Sequence, residues 1–110
     1  MKQGEIWFTD LNPVKGSEQA GYRPVIIISG NLLNVHAQVV VCVPLTTQLK
    51  HYHGNLVLEP SPSNGLKQTS EALTLHVRSI AKDRLLERVG SISKTELKQI
   101  LTCLNEILTY

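Results

Sequence analysis

Short apolar runs alternate with breaks marked by proline, glycine or polar clusters as far as residue 92, and one long amphipathic stretch closes the sequence. Residues 5–11, rich in aromatic and β-branched side chains, predict a first strand that Pro13 ends. A second strand is expected over residues 23–29, where the unbroken run Val25-Ile26-Ile27-Ile28 calls for burial on both faces. Gly30-Asn31 breaks it, and residues 32–37 read as one turn of helix. Residues 38–45 form a third strand, again apolar on both faces. Pro44 has no N–H to give to a ladder, so the end of that strand is expected at an edge or a bulge.

Residues 55–59 predict a fourth strand, followed by a loop over residues 60–65 with the composition Pro-Ser-Pro-Ser-Asn-Gly. Residues 71–80 alternate as a strand: Leu73, Leu75 and Val77 on a core face, and Thr74, His76 and Arg78 on the opposite one. A short helix is expected over residues 82–86 and a last short strand over residues 88–92. Ser93-Lys94-Thr95-Glu96 is a capping box, because a serine can cap the first turn while the glutamate reaches back to it. Leu97, Ile100, Leu101, Leu104, Ile107 and Leu108 then recur at helical spacing, facing the core or a second subunit. Many short strands and one good helix predict a mainly β protein with a C-terminal helix, a small, strongly bent barrel.

The 110 residues fit one domain, residues 1–110, with 42% hydrophobic and 18% charged residues, the balance of an ordinary globular protein. A formal net charge of +2 gives no global field, so a nucleic-acid partner needs local clustering of basic groups. No signal peptide and no run of membrane-spanning length is visible, which predicts a cytoplasmic protein without a membrane partner. Cys42 and Cys103 have no neighbours at zinc-ligand spacing and are expected to be reduced, so neither a metal nor a cofactor is expected.

The segment Gly16-Ser17-Glu18-Gln19-Ala20-Gly21-Tyr22-Arg23-Pro24 joins the first two strands. Pro24 pushes Arg23 into extended backbone, where its guanidinium is held on a rigid base and offers a planar fork to a phosphate. Glu18 lies five residues upstream, so a base and a fixed cation could share one mouth. An exposed Glu18–Arg23 ion pair accounts for the same residues.

Gly4-Glu5-Ile6-Trp7, Asp10-Leu11-Asn12-Pro13 and the Gly16–Val25 stretch closely resemble the opening of MazF/PemK toxins, the metal-independent endoribonucleases of bacterial type II toxin–antitoxin pairs. Cys42-Val43-Pro44-Leu45-Thr46-Thr47-Gln48 resembles their second motif. The resemblance implies the SH3-like barrel shared with CcdB-like toxins, a homodimer with an RNA groove at its interface, and an antitoxin whose acidic, apolar tail fills that groove. It implies sequence-specific cleavage of single-stranded RNA, an mRNA interferase activity leaving 2′,3′-cyclic phosphate and 5′-hydroxyl ends. Arg23 and Thr46 are implied as the core catalytic pair with Glu18 beside them, and Thr47 is the alternative if the register is off by one. Thr46 is equally accounted for as a strand-end threonine satisfying nearby backbone.

Gln19, Tyr22, Thr47, Gln48, Lys50, His51, His76 and Arg78 are the candidate RNA contacts. Tyr22 and Tyr52 offer faces for base stacking. Lys15, Lys50, Lys67, Arg78, Lys82, Arg84 and Arg88 could gather along one groove. His51 and His53 flank Tyr52 and are read as loop residues, an acid–base pair or half a metal site. In His76-Val77-Arg78-Ser79-Ile80 the chain departs from the family, which commonly has an acidic residue and a glutamine where Leu75 and His76 stand. A non-enzymatic, gyrase-binding toxin of the same superfamily, or an RNA-binding barrel without activity, are the competing readings.

Overall fold

The computed structural model describes residues 1–12 and 21–110. Seven strands build one curled antiparallel sheet: β1 Glu5–Asp10, β2 Tyr22–Ile27, β3 Val39–Thr46, β4 Val57–Leu58, β5 Ser70–Ala72, β6 Arg78–Ala81 and β7 Leu85–Ser91. The path runs β4-β5-β3-β2-β1-β7, with β6 beside the first half of β3. Helix α1 (Asn31–His36) links β2 to β3, and α2 (Lys94–Thr109) closes the chain. Fold class is as expected: mainly β, half-barrel in shape, with a C-terminal helix.

Side-chain alternation explains why β2 and β3 are apolar throughout. Ile26 and Ile28 join Ile6, Val43, Leu45 and Ile100 in one core cluster, which α2 covers through Ile100. Val25 and Ile27 enter a second cluster with Leu11, Val40, Cys42, Ile80 and Leu85 on the other face. All four residues of the Val25–Ile28 run are buried. At roughly 1.5–3 kcal/mol for each such side chain, these two strands contribute much of the apolar driving force.

Pro44 sits in the middle of the sheet, opposite Val25 of β2, rather than on an outer strand. On the other side of β3, residues Val39 to Cys42 pair with β6, whereas Leu45 and Thr46 pair with β5. Pro44 therefore falls in the seam where β3 exchanges one partner for the next, and its missing donor breaks no ladder there. Its carbonyl still accepts from the Leu73 N–H at 2.9 Å.

The continuous strand expected over residues 71–80 does not form. A 3-10 turn at Thr74–His76 separates β5 from β6. Thr74 is fully buried and Leu75 is 65% exposed, the reverse of the alternation, because a 3-10 turn repeats every three residues rather than every two. The capping box is present: the Ser93 hydroxyl accepts from the Glu96 N–H, and the Glu96 carboxylate accepts from the Ser93 N–H at 2.8 Å. Along α2, Ile100 and Cys103 are buried, while Leu101, Ile107 and Leu108 are left exposed.

Candidate functional site

The start of β2 and the end of β3 meet at one rim of the sheet. Backbone bonds pin the approach: Leu11 N–H donates to the Gly21 carbonyl at 2.9 Å, and the Asn12 side-chain oxygen accepts from the Gly21 N–H at 3.0 Å. Arg84 donates to the carbonyls of Asp10 and Asn12 from the opposite side. Arg23 is set on β2 opposite Thr9, part-exposed. Glu18 and Gln19 lie outside the described residues.

Arg23 lines a cleft of about 400 Å³ with Tyr22, Pro24, Leu45, Thr47 and Ser70. A second cleft of about 530 Å³ shares Pro24, Thr47 and Ser70 with it and continues past Phe8, Lys67 and Arg88. The two form one groove over the sheet rim, with Thr47 at their junction. Tyr22 is 61% exposed and stacks on Phe8, ring centroids 6.3 Å apart, so two aromatic faces stand beside Arg23. Arg88 is held by Glu5 at 3.0 Å.

The two threonines have different environments. Thr46 is buried, and its hydroxyl accepts from the Gln48 N–H at 3.1 Å, which leaves its own proton available to donate. Thr47 is exposed in the groove beside Arg23. The structure thus brings Arg23, Tyr22, Thr47 and Thr46 together. Gln48, Lys50 and His51 follow on an exposed loop that leaves β3 directly after Thr46.

His76 ends the 3-10 turn and Arg78 opens β6, both part-exposed, so strand alternation does not set them side by side. One terminal nitrogen of Arg78 is buried and makes no hydrogen bond among the described residues. Cys42 is Arg78's partner across the sheet, and its thiol is pushed up to about 12 by burial, against the pull of the Arg78 charge. It is an inert thiol, and Cys42 and Cys103 are both free and buried. Among the described residues no cluster of histidine, cysteine and carboxylate side chains could hold a metal. No helix of the described chain is long and apolar enough to cross a membrane.

Sequence reasoning passed over Glu71. This residue of β5 is fully buried, and its carboxylate accepts from the N–H groups of Lys50 (2.6 Å), His51 (2.7 Å) and Tyr52 (3.1 Å) and from the Asn55 side chain (2.7 Å). Burial alone pushes its carboxyl up; the bonds from Asn55, His51, Lys50 and Tyr52 outweigh that and hold it below the ordinary value. The signal was present in the sequence as a charge directly before Ala72 and Leu73, at the start of the strand expected over residues 71–80.

Residues 2–108 match the family model described as PemK-like, MazF-like toxin of type II toxin–antitoxin system. The chain is 35% identical over 105 residues to the endoribonuclease MazF9 of Mycobacterium tuberculosis, covering 91% of this chain and 89% of that protein. The crystal structure of MazF from Deinococcus radiodurans superimposes with a TM-score of 0.86 at 23% identity, covering 100% of this chain and 97% of that one. A mycobacterial endoribonuclease in complex with its cognate antitoxin gives a TM-score of 0.75 at 26% identity, over 98% of this chain and 92% of that one.

Proposed function

The chain belongs to the PemK-like, MazF-like toxins of type II toxin–antitoxin systems, and from that membership we propose that it is an endoribonuclease cutting single-stranded RNA in the cytoplasm without a metal. The observation that carries the reading is the groove in which Arg23 and Thr47 share a wall, with Thr46 next in the chain and two aromatic faces alongside. Single-stranded RNA suits such a groove because its bases can be splayed out, stacked and read at their edges.

RNA carries its own nucleophile. A base takes the proton of the 2′-hydroxyl, the oxygen attacks the adjacent phosphorus, and the bond to the 5′-oxygen breaks as that oxygen takes up a proton. The products are a 2′,3′-cyclic phosphate and a 5′-hydroxyl. Arg23 stabilises the charge that gathers on the phosphate oxygens; its high pKa suits it to that role better than to proton transfer. Thr46 or Thr47 donates a hydroxyl hydrogen bond to the same phosphate. Glu18 is assigned the base. Gln19, Tyr22, Gln48, Lys50, His51, His76 and Arg78 are assigned to binding and base selection.

The active form is a homodimer, and the cognate antitoxin inhibits it by laying an acidic, apolar tail in the groove. The exposed Leu101, Ile107 and Leu108 of α2 and Leu32, Leu33 and Val35 of α1 supply apolar surface for such partners. The test is to incubate the purified protein with a long single-stranded RNA in excess chelator and to map the new ends. Cleavage at a short recurring sequence, leaving cyclic-phosphate and 5′-hydroxyl ends, is expected. Intact RNA in both the presence and the absence of divalent metal would overturn the nuclease reading and favour a binding toxin.

A further inference from the structure

Glu71 occupies a position in the sheet that ties two segments together. It is the partner of Thr46 across the β3–β5 ladder, so its backbone fixes the strand end that carries the two threonines assigned to the phosphate. Its side chain reaches the loop that leaves that same strand end, four to six residues further along. Three successive N–H groups, those of Lys50, His51 and Tyr52, converge on its two oxygens. They can converge because His51 adopts the left-handed region, at a φ of 56°, uncommon for any residue but glycine and visited by histidine more often than by most. Consecutive N–H groups folded around one anion form a nest, a concavity that usually receives a phosphate or another free anion. Here the anion is built in. Asn55 adds a fourth donor and passes the connection on: its side-chain oxygen lies 3.8 Å from the Cys103 sulfur of α2, and its carbonyl accepts from Gln99.

We propose that Glu71 is a positioning residue for RNA binding, its buried carboxylate holding the loop of residues 50–55 in the one shape that presents Lys50, His51 and Tyr52 next to the Thr46–Thr47 corner. This rests on the ribonuclease reading above. The loop's exposed side chains all point away from the nest, since the backbone N–H groups turn inward to Glu71 while Lys50, His51, Tyr52 and His53 are exposed to solvent. Without the carboxylate, the three inward N–H groups lose their partner, and the strained His51 conformation loses the contacts that hold it. The loop then samples other shapes, and RNA must select the competent one at a cost in affinity.

Glu71→Gln keeps the shape of the side chain but places an NH₂ group against N–H donors. Two measurements on the full-length protein test the idea. Amide exchange at Lys50, His51 and Tyr52 should accelerate at least about tenfold, with the core strands unchanged. On single-stranded RNA, KM should rise about tenfold while kcat stays within about threefold, because ground-state contacts are lost and the Arg23 site is intact. A merely structural role would lower the fraction of active protein, and so kcat, at unchanged KM; that result overturns the proposal. So does unchanged exchange at the three amides. If Glu71→Gln does not fold, Asn55→Ala removes only one of the four bonds and should move KM in the same direction by about threefold; an unchanged KM there overturns it equally. A wild type that cuts no RNA removes the ribonuclease reading instead, and exchange still reports whether the clamp exists.

Discussion

At Gly90 of β7 one added methyl group should do damage out of proportion to its size. A Cβ built there lies 2.4 Å from both the carbonyl carbon and oxygen of Asn64 and 2.6 Å from the Ser63 carbonyl oxygen. These are backbone atoms and cannot swing aside. The loop they belong to is held by the buried Asn64, whose side chain accepts from the N–H groups of Ser61 and Leu66 and donates to the Glu59 carbonyl at 2.8 Å. It docks on β7 through a bond from the Ser91 N–H to the Ser63 carbonyl at 3.0 Å. Gly90→Ala must push the loop off the strand. Overpacking of this kind costs about 1–3 kcal/mol, and the lost docking bond about 1 more. A total of roughly 2–4 kcal/mol lowers Tm by roughly 8–16 °C in a domain of this size. Leu66 and Lys67 on the loop and Val89 on β7 all line the larger cleft, so groove shape should change with stability. Urea and thermal denaturation measure the first effect and KM for RNA the second. Gly30→Ala is the control, since nothing lies within 4 Å of a Cβ there and its φ of −66° suits alanine. A Gly90→Ala protein within about 0.5 kcal/mol of wild type would refute the reasoning, because no close backbone approach could then exist.

Arg23→Ala should abolish RNA cleavage, by about a hundredfold or more, with little change in melting, as expected of a part-exposed cation at a groove wall; near-native cleavage by the folded variant would remove Arg23 from the mechanism. Thr46→Ala should lose less activity than Arg23→Ala but more stability than Thr47→Ala, since Thr46 is buried and accepts the Gln48 N–H. Glu5 and Glu71 both have carboxyls held below their ordinary value of 4.5. For Glu5, burial pushes up and bonds from Trp7, Lys2 and Arg88 pull down and prevail. A depressed folded pKa contributes stability that is present above 4.5 and is lost as pH falls through the folded value, so urea midpoints should drop steadily below that pH, and less steeply in Glu71→Gln. His76→Gln should keep cleavage on some sequence and shift which sites are cut; mapped on one long RNA, loss at every site with the fold intact would make His76 catalytic.

The parts of the fold that could be read from the sequence are those where local pattern and tertiary burial agree. Val25 to Ile28 is apolar on both faces because it has a core cluster on each side, and Ser93 and Glu96 carry their capping geometry in four residues. Leu73 to Val77 is the converse. Its apolar–polar alternation mimics a strand, but the chain has to leave β5 and reach β6 on β3's earlier half, and a 3-10 turn makes that change of position. Thr74 is then buried and Leu75 exposed by tertiary placement alone. The groove was legible as the pair of motifs around Arg23 and Thr46. Of its other wall, Lys67 and Arg88 were among the basic residues expected to gather along a groove, but Phe8 was not legible, because it lies on a separate strand with no motif to join it to them. Glu71 stood out as a charge in the sequence, but its partners did not, because the four lie 16 to 21 residues upstream.

The pairing of β1 with β7 joins Glu5 to Ser91, nearly the full length of the chain apart. Phe8 on β1 and Val89 on β7 face the same cleft from that junction. On a ribosome β1 emerges before its partner and must wait, one edge unpaired, until β7 has been made. The β2–β3 pair, with Arg23 and Thr46, can assemble well before then. A nascent chain that stops short of Leu85 therefore carries the residues assigned to the phosphate but lacks one wall of the groove that would hold the RNA, so the order of synthesis itself delays the appearance of a harmful enzyme until β7 has been made.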